Sequence, residues 1–328
     1  MLKKTRVKSI FTVSILGIAA SLASCNPKTN NNIASAQAKP MVVASHSIIC
    51  DLIETIAEDT LDLTCLVDGA QDPHTYRPTP TQRKAIEQAQ LILYGGYELE
   101  PKIIQLVQAT KTPAPKIAVY ENAVTEPILA EQEHEAEVTS QATPAQAELE
   151  PDPHVWHDVE NVVAMVELIQ PALIQLNPVN VELYLQNSVA LTDQLWRLDA
   201  WIDEQIATIP EEKRILVTTH DSLNYYVQAY QLKDYKTLQG LSSEASPTAS
   251  QLRQLATDIR QTGVPTIFAE STQSDLVISN VAREANVKLA TEKLFADGLG
   301  EADNYINMMV SNTCTIVDGL GGKCTPLK

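Results

Sequence analysis

Two histidines in this chain stand in the same local context, directly after an Asp-Pro pair. His74 lies in QDPHTYRPTP and His154 lies in PDPHVWHD. Proline fixes its own φ angle, and the aspartate before it can hydrogen-bond locally or orient the imidazole ring. A backbone restricted in this way positions an imidazole at low entropic cost, which favours metal binding. The alternative is a pair of Asp-Pro turns that happen to precede histidine, and finding two of them weakens that alternative.

A third histidine and two carboxylates are placed where open α/β sheets bind ligands. His220 ends a predicted strand in ILVTTHDSLNYY, and Asp297 lies in KLFADGLG just beyond another. Strand carboxyl ends are the usual ligand-binding edge of such sheets. An aspartate before glycine is more often a turn residue, however, and Glu270 in FAEST also closes a predicted strand. The residues alone therefore nominate His220 and leave Asp297 and Glu270 as competing carboxylates.

Short apolar segments alternate with amphipathic ones along the chain, which predicts parallel α/β units. Helices are predicted between the strands, for example over Thr81–Gln90, where Thr79 can cap and Gln82 completes a capping box, and over Pro247–Thr262. The predicted strands are Met41–Ser45, Leu61–Val67, Leu91–Tyr94, Ile117–Tyr120, Ile215–Thr219, Lys236–Leu241, Pro265–Ala269 and Val287–Thr291.

A long helical stripe separates the two sets of strands. About 28 residues without Gly or Pro would reach about 42 Å at 1.5 Å per residue, which is long for a helix inside one small lobe. The pattern therefore predicts a rigid strut between two lobes. The apolar positions step by three or four: Val181, Tyr184, Ser188, Leu191, Leu195, Leu198, Ile202 and Ile206.

The N-terminus has the pattern of an export signal. A basic start, MLKKTRVKSI, precedes an apolar run from Ile10 to Ala23 that is too short to span a bilayer comfortably. It ends in LASC, which resembles the lipobox of bacterial lipoproteins and predicts a signal peptide over residues 1–24, lipid on Cys25 and a flexible tether over residues 25–40. An ordinary signal peptide with an incidental cysteine is the alternative. No later segment is expected to be long and apolar enough to cross a membrane.

Charge and cysteine content restrict the class of protein further. The formal net charge is −17, and removing residues 1–24 takes away four of the 24 basic residues, leaving −21. Such a surface argues against nucleic-acid binding. Besides Cys25, four cysteines remain, and an even number in an exported chain predicts two disulfides, for which three pairings are possible. Sequence proximity favours Cys50–Cys65 and Cys314–Cys324, and the absence of CxxC argues against a zinc-thiolate site.

Five motifs in a fixed order, DPHTYRPTP, DPHVWHD, TTHDSLNYY, FAEST and LFADGLG, closely resemble those of the bacterial metal-binding lipoproteins (cluster A-I) that feed ABC importers of zinc and manganese. The resemblance runs from about Met41 to the C-terminus. It implies an α/β fold of two pseudo-symmetric lobes with four-stranded, mainly parallel sheets. One long rigid helix would join the lobes, with metal in the cleft between them. The expected parts are an N-terminal lobe over residues 41–178, a linking helix over 179–209 and a C-terminal lobe over 210–328.

Position by position, the resemblance assigns four metal ligands. His74 and His154 match the two ligands of the N-terminal lobe, and His220 and Asp297 match those of the C-terminal lobe. Glu270 falls in a motif that is near the site without being a ligand. Three imidazoles and one carboxylate suit zinc, and the manganese carriers of the family typically have Glu where this chain has His220. Zinc is therefore the predicted cargo, with manganese as the alternative.

The chain also departs from the family pattern. Zinc carriers often have a histidine-rich loop before the second motif, whereas the acidic segment here, residues 131–152, contains only His134. It is predicted to be a mobile surface loop, with weak cation collection as the alternative. His157 stands where the motif usually has an apolar residue, and a surface or packing role is predicted for it. His46, after the first strand, is left outside the site. Alanine at His46, His134 or His157 is accordingly predicted to leave zinc affinity intact.

The predicted function is that of a binding protein and not of an enzyme. We expect an exported monomer, lipid-anchored at the cell envelope and facing the periplasm or the outer side of the cytoplasmic membrane, that delivers zinc to an ABC permease. A zinc hydrolase is a competing hypothesis, but the chain lacks HExxH, and four protein ligands would leave zinc no open position. An adhesin is a third hypothesis, which rests on the lipid anchor alone.

Overall fold

A computed structural model describes residues 38–131, 149–242 and 247–327. The predicted signal peptide, Cys25 and nearly all of the tether lie outside the described residues, as does His134 with the middle of the acidic segment. From Lys39 onward the chain packs as one compact unit.

The N-terminal lobe is built on a parallel four-stranded sheet in the order β2-β1-β3-β4. Its central strands, MVVA and LILY, are largely buried because helices cover both faces of a parallel sheet. A capping box of Thr79 and Gln82 starts the helix α2, as the sequence predicts. The strands are β1 Met41–Ala44, β2 Asp62–Cys65, β3 Leu91–Tyr94 and β4 Lys116–Ala118, and the helices are α1 Ser47–Ala57, α2 Pro80–Gln88, α3 Pro101–Ala109 and α4 Val119–Ala123.

The prediction for the fourth strand is wrong at its C-terminal end. Val119 and Tyr120 were expected to extend it to Tyr120, but they begin the short helix α4. The Tyr120 N–H donates to the carbonyl of Gly95, and the Tyr120 carbonyl accepts from Val124 N–H, which closes a helical turn. These contacts override the strand preference of the two side chains.

The two ends of the acidic segment are not loop, contrary to the prediction. β5 Leu129–Glu131 pairs antiparallel with β6 Leu149–Pro151. Asp152, the last residue of the predicted loop, is buried, and its N–H donates to the carbonyl of Ile128. The hairpin therefore leads the chain directly into the second Asp-Pro-His motif.

Two long helices follow the hairpin. α5 spans Val159–Leu176 and α6 spans Val181–Ile206, so α6 has 26 residues and is about 39 Å long. The predicted stripe of α6 is buried except for Val181, which is 38% exposed at the first turn. α6 packs against α1 and α5. The predicted linking helix is therefore present.

One helix contradicts the expectation that no later segment could cross a membrane. By length and composition alone, α5 is apolar and long enough to do so. Its buried side chains, however, lie in the same hydrophobic core as those of α1 and α6. We therefore interpret α5 as a core helix.

The C-terminal lobe contains two parallel strand pairs, β7-β8 and β9-β10. The N–H of Phe268, just after β9, donates to the carbonyl of Val217 in β7 and so joins the two pairs. The predicted α/β class is confirmed. The strands are β7 Ile215–Thr218, β8 Asp234–Thr237, β9 Thr266–Ile267 and β10 Lys288–Leu289, and the helices are α7 Asn224–Ala229, α8 Ala249–Thr262, α9 Leu276–Ala285 and α10 Tyr305–Gly319.

β8 lies earlier in the chain than the predicted Lys236–Leu241. The ladder with β7 runs from Asp234 to Thr237. It stops there because the N–H groups of Leu238 and Gln239 both donate to the carbonyl of Thr219. Two successive donors on one acceptor turn the chain away from the sheet.

The structure contains two disulfides, Cys50–Cys65 and Cys314–Cys324. The first links α1 to β2, an edge strand of the N-terminal sheet. The second links α10 to the C-terminal tail, where the N–H of Thr325 donates to Gln205 of α6. The tail is thereby fixed against the linking helix.

Candidate metal centre

Four side chains converge in the cleft between the lobes, and they are the four to which the family resemblance assigns a ligand role. Nε2 of His74 lies 3.2 Å from Nε2 of His154. Asp297 Oδ1 lies 3.5 Å from each of these nitrogens and 3.1 Å from Nε2 of His220. All four ligand atoms lie within 4.8 Å of one another, and all four residues are buried. The arrangement is a compact cluster of three nitrogens and one oxygen.

The dimensions of this cluster fit a small tetrahedral cation. Ligands about 2.0–2.1 Å from a central ion lie about 3.3–3.4 Å from one another. The four separations given above, 3.1–3.5 Å, bracket that edge length. Within the described part of the chain, buried Nε2 of His220 and Oδ1 of Asp297 have no hydrogen-bond partner. Burying polar atoms without partners is costly, and coordination of a cation would remove that cost.

Each lobe contributes two members of the cluster. His74 lies in the loop between β2 and α2, and His154 directly precedes a 3₁₀ turn over Val155–His157. His220 follows β7 by two residues. Asp297 follows Leu294, which bridges to Glu270 at the end of the neighbouring strand segment. The C-terminal pair thus comes from the strand edge that the sequence predicts.

The two Asp-Pro-His motifs hold their histidines differently. Asp152 Oδ1 accepts hydrogen bonds from the backbone N–H of His154 at 2.9 Å and from its ring Nδ1 at 2.8 Å. The predicted orientation of an imidazole by the aspartate is therefore confirmed at His154, whose Nε2 is turned to the cluster. In the first motif, Asp72 Oδ1 accepts the backbone N–H of His74 at 2.9 Å, which fixes the turn that carries the histidine.

Glu270, the competing carboxylate, lies behind His220 and outside the cluster. Its Oε1 accepts the backbone N–H groups of Thr219 at 2.9 Å and of His220 at 3.0 Å. Its Oε2 is hydrogen-bonded to His220 Nδ1. Glu270 therefore orients the His220 ring so that Nε2 points at the other three side chains.

Burial and charge act against each other on these groups. Burial lowers the pKa of His220, but the charges of Glu270 and Asp297 raise it by more, so the pKa lies well above its ordinary value. Burial raises the pKa of Asp297, but the charge of His220 and the close approach of the other imidazoles lower it by more, so it lies well below its usual range. In the metal-free cluster, Asp297 is therefore ionised and His220 carries a proton.

Two further histidines lie beside the cluster, and sequence reasoning left both outside the site. His46 Nε2 is 2.9 Å from the carbonyl oxygen of Asp297, and His157 Nε2 is 2.8 Å from that of Ala296. Both rings are buried, which excludes a surface role for His157. Burial lowers the pKa of His46 to about 4 and of His157 to about 3, so both are neutral. The only sequence feature that could have placed His157 near the cluster was its spacing of three residues from His154.

Comparison with known proteins places this geometry in a family. Residues 42–319 match the family model described as ZnuA, zinc-uptake complex component A periplasmic. The chain belongs to this family. The match covers both lobes and all four clustered side chains, so the resemblance drawn from five short motifs is confirmed.

Individual relatives align with nearly the whole of this chain. The manganese-binding lipoprotein MntA of Halalkalibacterium halodurans is 29% identical over 95% of this chain and 99% of its own length. The manganese ABC transporter substrate-binding lipoprotein PsaA of Streptococcus anginosus is 31% identical over 97% of this chain and 99% of its own length. The solved structure of the periplasmic zinc binding protein TroA from Treponema pallidum superposes with a TM-score of 0.75 at 30% identity, covering 86% of this chain and 99% of TroA.

Family membership decides the class of function. The chain is a metal-binding substrate-binding protein of an ABC importer, and the hypothesis of a zinc hydrolase is set aside. The two-lobed fold with one long linking helix is confirmed by the likeness to TroA. The relatives are named for different metals, so the names alone do not select the cargo.

Proposed function

We propose that this protein captures a zinc ion outside the cytoplasm and delivers it to the permease of an ABC importer. The observation that carries the proposal is a convergence of four buried side chains in the cleft between the lobes, with ligand atoms all within 4.8 Å of one another. They are His74, His154, His220 and Asp297. A cleft allows a cation to be enclosed from two sides and released when the sides separate.

Zinc follows from the chemistry of the donor atoms. Three imidazole nitrogens and one carboxylate oxygen form the nitrogen-rich, four-coordinate set that zinc accepts readily. Manganese prefers more oxygen ligands and a higher coordination number. Glu270 is hydrogen-bonded to Nδ1 of His220, the ring nitrogen that does not face the cluster. It therefore does not supply a further oxygen to the cluster.

Manganese is the second candidate, and the relatives favour it. MntA and PsaA are both named for manganese and cover nearly the full length of this chain at about 30% identity. TroA, which superposes over 86% of the chain, is named for zinc. The metal is therefore the part of the proposal that a direct comparison of affinities has to decide.

Replacing His220 with Glu is expected to shift the ratio of zinc to manganese affinity toward manganese. The change turns a set of three nitrogens and one oxygen into one of two and two, adds a negative charge and permits bidentate contact. Both metals should be titrated against wild type and His220→Glu in the same buffer, with His134→Glu as the same substitution outside the cluster. An unchanged ratio would remove the main support for zinc.

We further propose that the protein is attached through lipid on Cys25 and acts as a monomer, with lobes over residues 41–178 and 210–328 joined by residues 179–209. The length of α6 and its packing on α1 and α5 support a stiff connection, so that opening of the cleft is small. The names of MntA and PsaA as lipoproteins support the anchor.

Delivery is tested by metal uptake in cells that lack the protein. The initial rate of radioactive zinc uptake at limiting concentration should be low, restored by wild type and not by His154→Ala. Parallel measurements with manganese decide between the two candidates. Equal zinc and manganese uptake with and without the protein would contradict a role in import.

A further inference from the structure

We propose that His46 and His157 are positioning residues that hold the Asp297 carboxylate in the cluster, and that their loss speeds release of the metal. The inference takes from the proposed function only that the cluster binds a metal. It replaces the expectation that both histidines can be exchanged without consequence. Its basis is a pair of hydrogen bonds from the N-terminal lobe to two consecutive carbonyl groups, those of Ala296 and Asp297.

The segment that carries Asp297 is attached to both lobes. Before Asp297, Asn312 of the C-terminal lobe bonds both backbone groups of Phe295. From Ala296 onward, backbone contacts reach the opposite lobe. Beyond the two histidine contacts, Ser47 Oγ accepts from Leu299 N–H at 3.2 Å and the Gly69 carbonyl accepts from Gly300 N–H at 2.9 Å. Farther along, Asp51 Oδ2 accepts from Tyr305 N–H at 2.8 Å. Although Asp297 belongs to the C-terminal lobe by sequence, the backbone from Ala296 onward is therefore hydrogen-bonded to the N-terminal lobe.

His46 and His157 make the contacts of this series that lie closest to the ligand. In a neutral imidazole, the nitrogen that faces a carbonyl must be the one that carries the proton, so both rings donate through Nε2. Tyr120 supports this assignment at His46, because its hydroxyl lies 2.6 Å from Nδ1 and can donate to it. Since both rings are buried, bulk water cannot replace either donor.

Side-chain contacts do not substitute for this backbone support. Thr272 donates its hydroxyl to Asp297 Oδ2, which leaves Oδ1 directed at the three histidine nitrogens. That hydrogen bond sets the rotation of the carboxylate, whereas the carbonyl contacts set where the Cα atom lies. Without the two carbonyl contacts, Oδ1 would lose its 3.1–3.5 Å spacing to the histidine nitrogens. A bound metal would then keep only its three histidine ligands in position.

The test compares two replacements at each position. Leu at His46 or His157 removes the donor and keeps an apolar side chain of moderate size, whereas Gln offers an amide N–H near the position of Nε2. Zinc dissociation into excess chelator should be about 10–100-fold faster in His46→Leu and His157→Leu, the range typical of lost supporting contacts around a metal. The Gln variants should recover most of that change.

Two further measurements separate positioning from general destabilisation. The visible spectrum of the cobalt-loaded protein should change in the Leu variants, since it reports the ligands directly, while the Gln variants keep the wild-type spectrum. In the metal-free protein, amide exchange of the peptide around Gly298 should be faster in the Leu variants. Tyr305→Phe is the matched control: it removes the hydrogen bond from Tyr305 to the Trp156 carbonyl, 2.8 Å long, in the same segment.

The outcomes are distinct. Wild-type dissociation rates in both Leu variants, or Gln variants as fast as the Leu variants, would overturn the positioning role and leave the proposed function standing. An equal acceleration by Tyr305→Phe would also overturn it, because any contact of the segment would then suffice. If a Leu variant does not fold, His→Asn at the same position, with its donor drawn back from the carbonyl, takes its place. Wild-type protein that binds neither zinc nor cobalt would overturn the inference and the proposed function together.

Discussion

The His154→Ala variant should lose more zinc affinity than any variant that changes only an orienting residue. Loss of an orienting partner typically costs about 10–100-fold in affinity, and alanine at 154 removes a ligand atom itself. His154 Nε2 lies within 3.5 Å of both His74 Nε2 and Asp297 Oδ1, and the cluster found among the described residues has only four members. The ring also hydrogen-bonds to the Asp152 carboxylate through Nδ1, so alanine at 154 would remove a buried donor from that carboxylate.

Competition with a chelator of known zinc affinity measures this loss. His134→Ala is the control, because it removes an imidazole from the acidic segment and keeps all four clustered residues. Thermal unfolding of the metal-free proteins shows whether His154→Ala still folds. Wild-type affinity in a folded His154→Ala variant would show that the cluster is not the binding site.

Zinc affinity should rise steeply with pH, because the metal must displace protons from the cluster. His220 keeps its proton in the metal-free protein, since Glu270 and Asp297 raise its pKa above the ordinary value despite the opposing effect of burial. Burial likewise lowers the pKa of His154, but Asp152 and Asp297 raise it by more. Asp297 stays ionised and contributes no proton in this range. The apparent affinity should therefore change about tenfold per pH unit for each proton displaced, and level off above the raised pKa values.

Calorimetry in buffers of different ionisation enthalpy counts the protons released. Glu270→Gln is the informative variant, because removing its charge lowers the pKa of His220 while an amide still contacts the ring. Fewer protons should then be released near neutral pH, and the slope of affinity against pH should be shallower. An affinity that is constant from about pH 6 to about pH 8 would contradict the protonated state of His220.

The sequence contained enough local information to nominate three of the four clustered residues. His74 and His154 stand in Asp-Pro-His motifs whose geometry is fixed within two residues, and His220 ends a strongly apolar strand. The choice of Asp297 over Glu270 came from the family resemblance, because both carboxylates follow strands. Only the structure shows that Glu270 bonds to Nδ1 of His220.

His46 and His157 could not be assigned from local pattern. Their carbonyl partners lie 251 and 139 residues away in the sequence. Neither histidine follows an Asp-Pro pair, the context that marks His74 and His154. Contacts between distant segments depend on how the lobes meet, and that information is not contained in periodicity or turn chemistry.

The fold, too, was predicted correctly where local sequence determines it and wrongly where contacts between distant segments do. β3 was predicted to the residue because LILY is apolar throughout and is followed by the turn residues Gly95 and Gly96; its first three residues are buried. β4 and β8 were misplaced where a tertiary hydrogen bond ended the ladder, at Tyr120 and at Leu238. The hairpin β5–β6 was missed because its strands lie at the ends of an acidic segment with little apolar character.

The account is tested most directly by locating the metal. Crystals of the zinc-loaded protein, with anomalous scattering recorded at the zinc absorption edge, should show one strong peak in the cleft. It should lie about 2.0–2.2 Å from Nε2 of His74, His154 and His220 and from a carboxylate oxygen of Asp297. A peak elsewhere on the protein, or one with any of these four side chains beyond coordination distance, would contradict the proposed site.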